Sequence, residues 1–313
     1  MAESGTTTVL DIANTDHAWE PSRRSGLRVH WFRELLGWRW PARWVSWRAA
    51  RRSWSEHPDS DRLIAHVSPH APYSAHPRLI VKAAKWAYRH GKRWGIHLAE
   101  TVEELDLLAT GGGPMRDFLG DFLGRNWRPS RLVALEHLAQ ISWPRACPPL
   151  LFHANHLTAR EFDLAARLGV AVVHCPGSHR YYGRTTFPLA EFLSRGIPVF
   201  LGTDSLASNQ RLDMRREVRL LVEMHPEVGC EAALRMAGRD AAAWLSGAAA
   251  PVGLTPGAPA DLWWWRLPQS RGLAGPTEAL LERLLSTSEA SSEVWIAGQA
   301  VPARRNLNLY SSP

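Results

Sequence analysis

"LLFHANHLTAREFDLAARLGVAVVHCP", residues 150–176, reads as three consecutive elements. An apolar run over 150–156 leads to Thr158 and Glu161, whose spacing is that of a capping box opening a helix. A second apolar run, 170–176, follows the helical pattern. Strand, helix and strand in so short a stretch make a βαβ unit with parallel strands. The alternation extends both ways. Strand-like runs at 6–13, 27–35, 63–69 and 94–100 precede the unit, and one at 197–204 follows it. Helical patterns fall between them at 76–92, from Thr101 (again a capping box, with Glu104), at 207–224 and at 230–245. Parallel strands with crossover helices predict a (β/α) barrel, here one strand short of eight. After Ala250 the pattern changes: 251–265 and 292–302 read as short strands with Pro/Gly turns. The expected division is a barrel over 1–250 and a small β appendage over 251–313.

Composition sets outer bounds. With 313 residues, 45% hydrophobic and 21% charged, the chain reads as an ordinary soluble globular protein. No apolar run reaches the ~18 residues of a membrane span. Nor is there a secretory pattern near Met1. Cys147, Cys175 and Cys230 lack CxxC spacing, which fits a reducing, cytoplasmic setting. The net charge is +7, and 16 tryptophans are present, several of them in "GWRWPARWVSWRAARRSW" (37–54). That stretch allows a base-stacking, phosphate-binding surface. The favoured reading is an amphipathic helix that packs Trp44, Trp47 and Trp54 on a core and keeps arginines outside. Nucleic acid and membranes are therefore not expected partners. A small-molecule substrate is, and self-association is left open.

Polar side chains collect where the strand runs end: His70, His97, Glu100, His153, His156, His174 and Asp204. The C-terminal face of a (β/α) barrel is where active sites are built. Imidazoles and carboxylates there suit Zn²⁺ or Fe²⁺, which makes hydroxide accessible at neutral pH. Asp204 either faces such a centre or caps the helix that follows; spacing alone leaves both open.

The blocks "SPHAPYSAHPRL", "IHLAETVEE", "HANHLTAREFDLAARLGVAVVHCPGS" and "GIPVFLGTDSLASNQRLDMRREVRL" resemble the amidohydrolase superfamily. The closest branch is that of the atrazine/melamine-type chlorohydrolases, guanine deaminase, adenosylhomocysteine deaminase and aminodeoxyfutalosine deaminase. The resemblance implies a metal-dependent (β/α)8 barrel with a β appendage, hydrolysing non-peptide carbon–nitrogen bonds and deaminating an aminated heterocycle or nucleoside-like substrate. It implies one divalent metal, zinc with iron as the alternative, held by His97 and Asp204. Catalytic roles fall on Glu100 as proton shuttle, Asp204 as general base and His153 as orienter of water or substrate. Substrate contacts fall on His70, with Ser205, Ser208 and Asn209 on the loop after the last strand. His156 and His174 read as outer or packing residues. Two departures stand out. "HCPGSHRYYG" places His179 where relatives often have Asn. No two histidines are spaced i, i+2, so the HxH pair of the family's first strand has no counterpart. The expectation is that Met1 is not the natural start of this fold and that about 100 residues precede it, given the usual barrel size. The alternative function is a non-catalytic relative that binds a small molecule or partner.

Overall fold

The structure, a computed structural model, describes residues 1–247, 253–266, 277–286 and 291–301. In chain order the elements are β1 (Thr8–Ala13), α1 (Trp19–Arg24), β2 (Arg28–Leu35), α2 (Trp40–Glu56), β3 (Leu63–Pro69), α3 (Pro77–Arg89) and β4 (Gly95–Leu98). There follow α4 (Val102–Thr110), α5 (Pro114–Leu123), α6 (Ala134–Gln140), β5 (Leu150–His153), α7 (Ala159–Leu168), β6 (Ala171–His174), α8 (Pro176–Tyr181), α9 (Leu189–Ser194) and β7 (Val199–Leu201). The chain continues with α10 (Met214–Met224), α11 (Gly229–Ala237), α12 (Arg239–Ser246), β8 (Leu262–Arg266), α13 (Thr277–Ser286), β9 (Ser291–Ile296) and β10 (Gln299–Val301).

β1–β3 form one parallel sheet and β4–β7 another, each in sequence order. A parallel bridge between Val67 and Trp94, and a 2.8 Å bond from His97 N–H to the His70 carbonyl, join them into one seven-stranded wall. Every strand lies inside a run expected from the sequence. The wall curls. Leu10 and Ile12 of β1 pack in the same cluster as Leu150, Phe152, Ala171 and Phe200 from β5, β6 and β7. The first and last strands thus share a core, although among the described residues no ladder pairs β1 with β7.

Side-chain alternation sorts this wall into two faces. The inner face carries Phe32, Phe152 and Phe200; Phe32 meets Phe152 edge to face at 6.3 Å. Gly95 makes room for this layer, since a Cβ there would lie 2.6 Å from the Phe152 ring. Trp244 of α12 closes the end where the strands begin: Phe200 lies 6.0 Å from its ring, and Arg93, just before β4, stacks on it at 4.6 Å. The outer face packs on the helices in a larger core that includes Leu35, Val67, Ile80, Ile96, Leu151 and Leu221.

Some expectations needed correction. α2 buries Trp47 and stacks Trp54 on Trp86 at 3.6 Å, but Trp44 is exposed, with Arg48 over its ring at 4.7 Å. Thr158 and Glu161 form the full capping box, whereas Glu104 spends its carboxylate elsewhere, as described below. α5 and α6 are additional to the helical patterns read from the sequence, and α13 interrupts a region expected to be a small β appendage. β8, β9 and β10 do form an antiparallel appendage. The boundary expected at 250/251 lies outside the described residues. No helix among the described residues is long and apolar enough to cross a membrane.

Candidate active site

The strand ends break sharply. Ala99, His153, Ala154 and Asp204 all have positive φ, of 50°, 71°, 49° and 57°, although none is glycine. Each such residue costs on the order of 1–3 kcal/mol and persists only where its surroundings enforce it. Glu104 does so after β4: its buried carboxylate accepts from the Ala99 and Glu100 N–H groups at 3.1 and 2.8 Å. Burial pushes its carboxyl up to about 8, and those two bonds pull against the rise. After β5, the Ala154 and His156 N–H groups bond the Leu98 and Ala99 carbonyls, and Asn155 donates to the Glu100 carbonyl at 3.0 Å.

These bends gather the polar side chains. The rings of His70 and His97 are 5.1 Å apart, and those of His97 and His153 5.6 Å. His97 Nδ1 donates to the His70 carbonyl at 3.0 Å. His70 Nδ1 lies 2.5 Å from Ser74 Oγ, which itself donates to the Ala71 carbonyl. Both rings therefore donate through Nδ1 and keep Nε2 as a lone pair. Burial holds both imidazoles neutral: His70 falls to about 3, and His97 is lowered with His153 adding to the effect.

Glu100 Oε1 pairs with Arg184 Nη2 at 2.9 Å, and its Oε2 lies 3.8 Å from His153 Nε2. Burial alone would raise Glu100, but His153 and Arg184 outweigh it and hold the carboxyl below its ordinary value. His153 is buried and lowered, with Glu100 and Asp204 partly offsetting the burial. Asp204 is open to solvent at the mouth. Its Oδ2 accepts from Ser178 and Ser208 at 2.7 Å each, and its Oδ1 from the Ser205 N–H at 2.8 Å. Those bonds, with His153, overcome burial and depress its carboxyl as well.

Asp204 is not the cap of the next helix. That helix starts at Met214, and Asp213 caps it by accepting from Arg215 and Arg216. The three residues read as substrate contacts after β7 have different surroundings. Ser208 is buried on Asp204. Asn209 is buried too; its amide donates to the Thr203 carbonyl and to Glu217, and its oxygen accepts from Arg216. Its polar atoms thus bond the protein itself. Ser205 alone of the three is exposed. His174 packs flat on Phe187 at 3.8 Å.

Sequence reasoning missed Glu34, Ser178 and Arg184. Glu34 sits on the inner face at the end of β2. Its carboxylate and ring nitrogens of His70 and His97 lie within 4.8 Å of one another. Burial raises Glu34, with His97 pulling the other way. Its position one residue before the end of a strand run was the available signal. Two neutral imidazoles beside a carboxylate are a donor set of the type that fits Zn²⁺ or Fe²⁺.

A curated relative, the 5-methylthioadenosine/S-adenosylhomocysteine deaminase of Pelotomaculum thermopropionicum, is 30% identical over 228 residues, 72% of this chain and 48% of the relative. Helicobacter pylori aminofutalosine deaminase, solved with methylthio-coformycin, superposes with a TM-score of 0.81 at 20% identity, covering 96% of this chain and 73% of that one. Atrazine chlorohydrolase from Arthrobacter aurescens TC1, solved with zinc, superposes with a TM-score of 0.74 at 21% identity, covering 95% of this chain and 68% of that one. At these identities the two structures establish a shared fold. This chain spans about half the length of the curated relatives it matches. The seven-stranded wall with polar strand ends is the amidohydrolase barrel: residues 1–301 match the Amidohydrolase family, and the chain belongs to it.

Proposed function

We propose that this chain carries the catalytic face of a hydrolytic deaminase acting on the exocyclic amine of a purine-type nucleoside. The observation that carries this reading is that the carboxylates of Glu100 and Asp204, both held below their ordinary values, share the neighbourhood of the buried, neutral His153, with Glu100 3.8 Å from it. Deamination adds water to a ring carbon and expels ammonia, so protons must leave the water and reach the amine. Asp204, fixed by Ser178 and Ser208, takes the first proton from water. Glu100 starts ionised, accepts a proton and delivers it to the departing nitrogen. His153, neutral and buried, orients the adding oxygen by hydrogen bonding. Zinc is the metal this donor set favours; it would be held through His97 Nε2 and would supply Lewis acidity. Tyr181 and Tyr182, after the end of β6, are exposed. The three cysteines are unpaired, which supports a reducing compartment such as the cytoplasm.

Relatives named for 5-methylthioadenosine, S-adenosylhomocysteine and aminodeoxyfutalosine support an adenine-type substrate. The test is ammonia release by the zinc-supplemented protein from adenosine, 5-methylthioadenosine, S-adenosylhomocysteine and aminodeoxyfutalosine, with guanine as comparison. Turnover of an adenine nucleoside is expected. Folded, zinc-loaded protein that releases ammonia from none of the adenine nucleosides would overturn the reading.

A further inference from the structure

We propose that the outer surface of α2 and α3 is a docking face for single-stranded nucleic acid, with bases stacking on Trp40 and Trp44 and phosphates held by the arginines and lysines beside them. α2 and α3 pack on the outer side of the wall, so this face is separate from the deaminase site and its binding is measured without turnover.

Charge is distributed unevenly. Residues 39–55 carry five arginines and residues 76–93 carry six lysines and arginines, with no Asp or Glu in either stretch. Together they outweigh the whole chain's net charge of +7. The two helices are neighbours: Trp54 of α2 stacks on Trp86 of α3 at 3.6 Å, and Lys82 of α3 sits over Trp47 of α2 at 4.5 Å. Among the described residues, only Arg52 and Lys92 of these cations form ion pairs, with Glu56 and Asp59. Burial and then the nearby Arg51 lower the Lys82 ammonium, a repulsion that a phosphate between them would relieve. A basic face of this kind, without acids of its own, is complementary to a polyanion.

The aromatic side chains select which polyanion. Trp40 and Trp44 are one turn apart, 63% and 46% exposed, with nearly parallel rings 6.3 Å apart. Arg48, one turn further on, lies 4.7 Å over the Trp44 ring. Trp40, Trp44, Arg48 and Arg51 thus follow one stripe of α2, about 16 Å long. A buried Trp44 would have argued against nucleic acid; the exposed one removes that objection. Flat indole faces stack on any base, and cations in line with them follow the backbone. An acidic peptide would use the cations alone. The stripe ends at a cavity of about 390 Å³ lined by Arg51, Trp54, Trp86, His90, Lys92 and Asp59. Asp59 is taken up by Lys92 and by the Ala65 N–H, which leaves the cavity basic and aromatic.

The experiment measures anisotropy of labelled oligo(U) and oligo(dT), each of about 16 nucleotides, with the whole chain over a salt series. Binding is expected, with log Kd rising against log salt by about 0.7 per phosphate neutralised. Trp40→Ala and Trp44→Ala should each weaken binding about 5- to 150-fold, as loss of one stacked base does. Arg51→Gln and Lys82→Gln should each lower the salt slope by about 0.7. Polyglutamate should bind more weakly and feel neither tryptophan substitution. Circular dichroism checks that each variant is folded. Should an indole variant fail to fold, quenching of wild-type tryptophan fluorescence by the oligonucleotides and not by polyglutamate answers the same question. The proposal is overturned by any of four results: no oligonucleotide binding at low salt, binding indifferent to both tryptophan substitutions, equal quenching by polyglutamate, or phosphatidylserine vesicles bound as tightly as the oligonucleotides.

Discussion

At the scale of single residues, the site is built from charges that hold one another in a working state. Arg184 and His153 keep Glu100 ionised against its burial. Removing the Arg184 cation leaves burial less opposed, so the Glu100 carboxyl must rise. Arg184→Ala should therefore move the acid limb of the kcat/KM profile to higher pH, because Glu100 must start ionised. An unmoved acid limb would separate Glu100 from the proton relay. Asp204→Asn should keep the fold and lose ~10²–10⁴-fold in turnover, the usual worth of acid–base assistance. Steady-state kinetics with a matched melting curve check this. How much of this was legible in the sequence differs by residue. His97, Glu100 and Asp204 end strand runs, so spacing exposed them. Arg184 meets Glu100 across 84 positions and Ser178 meets Asp204 across 26, contacts that only the curled wall creates. Asn209 looked like a substrate contact because it lies in the right loop. Its amide ties Thr203 to Glu217, a role that no local pattern announces.

At the scale of elements, β2 and β3 bury an imidazole pair below the site. His30 Nδ1 lies 2.9 Å from His66 Nε2, and His66 Nδ1 accepts from the Arg93 N–H at 3.0 Å. Burial, then nearby cations including Lys92 and Arg93, lower His30 to about 4; burial, then His30, lower His66 to about 2. Both are neutral in the folded chain and protonate near 6.5 once unfolded. Their contribution is fully present above about pH 6.5 and is lost as pH falls toward 4, by up to about 1.4 kcal/mol per pH unit for each ring. Denaturant midpoints at pH 7, 5.5 and 4.5 should fall accordingly. His66→Asn, whose amide oxygen can still accept from Arg93, should flatten that fall. The strands themselves were legible because each is an apolar run bounded by polar or glycine residues. α5 and α6 were not, since neither opens on a side-chain cap like those that Thr101 and Thr158 give α4 and α7. Trp44 lies close to the expected face, but the core reaches only as far along α2 as Trp47.

At the scale of the whole molecule, a bound ion and the fold stabilise each other. The ligands sit on separate strands, so an ion held by them ties those strands in the folded state only. At 100 times its Kd a single ion adds about 2.7 kcal/mol. Zinc should raise the melting temperature and dipicolinate should lower it to the metal-free value. A melting temperature indifferent to zinc would mean that the ligands do not converge in solution. The parallel α/β order was legible throughout, because βαβ alternation needs only local pattern. The curl that brings β1 and β7 to a shared core was not local: it shows in Leu10 and Ile12 joining the Phe200 cluster.

The left-handed residues that end the strands carry a consequence for how this protein would respond to selection. Ala99 and Ala154 occupy backbone angles where glycine is at ease and alanine is not. Directed evolution for heat resistance should therefore find Ala99→Gly and Ala154→Gly early, each worth up to about 1 kcal/mol where strain relief exceeds the entropy of the added glycine. The same changes would loosen the hinges that aim Glu100 and His153. Survivors of a heat screen should be slower catalysts, so stability and speed would be selected against each other at two buried alanines.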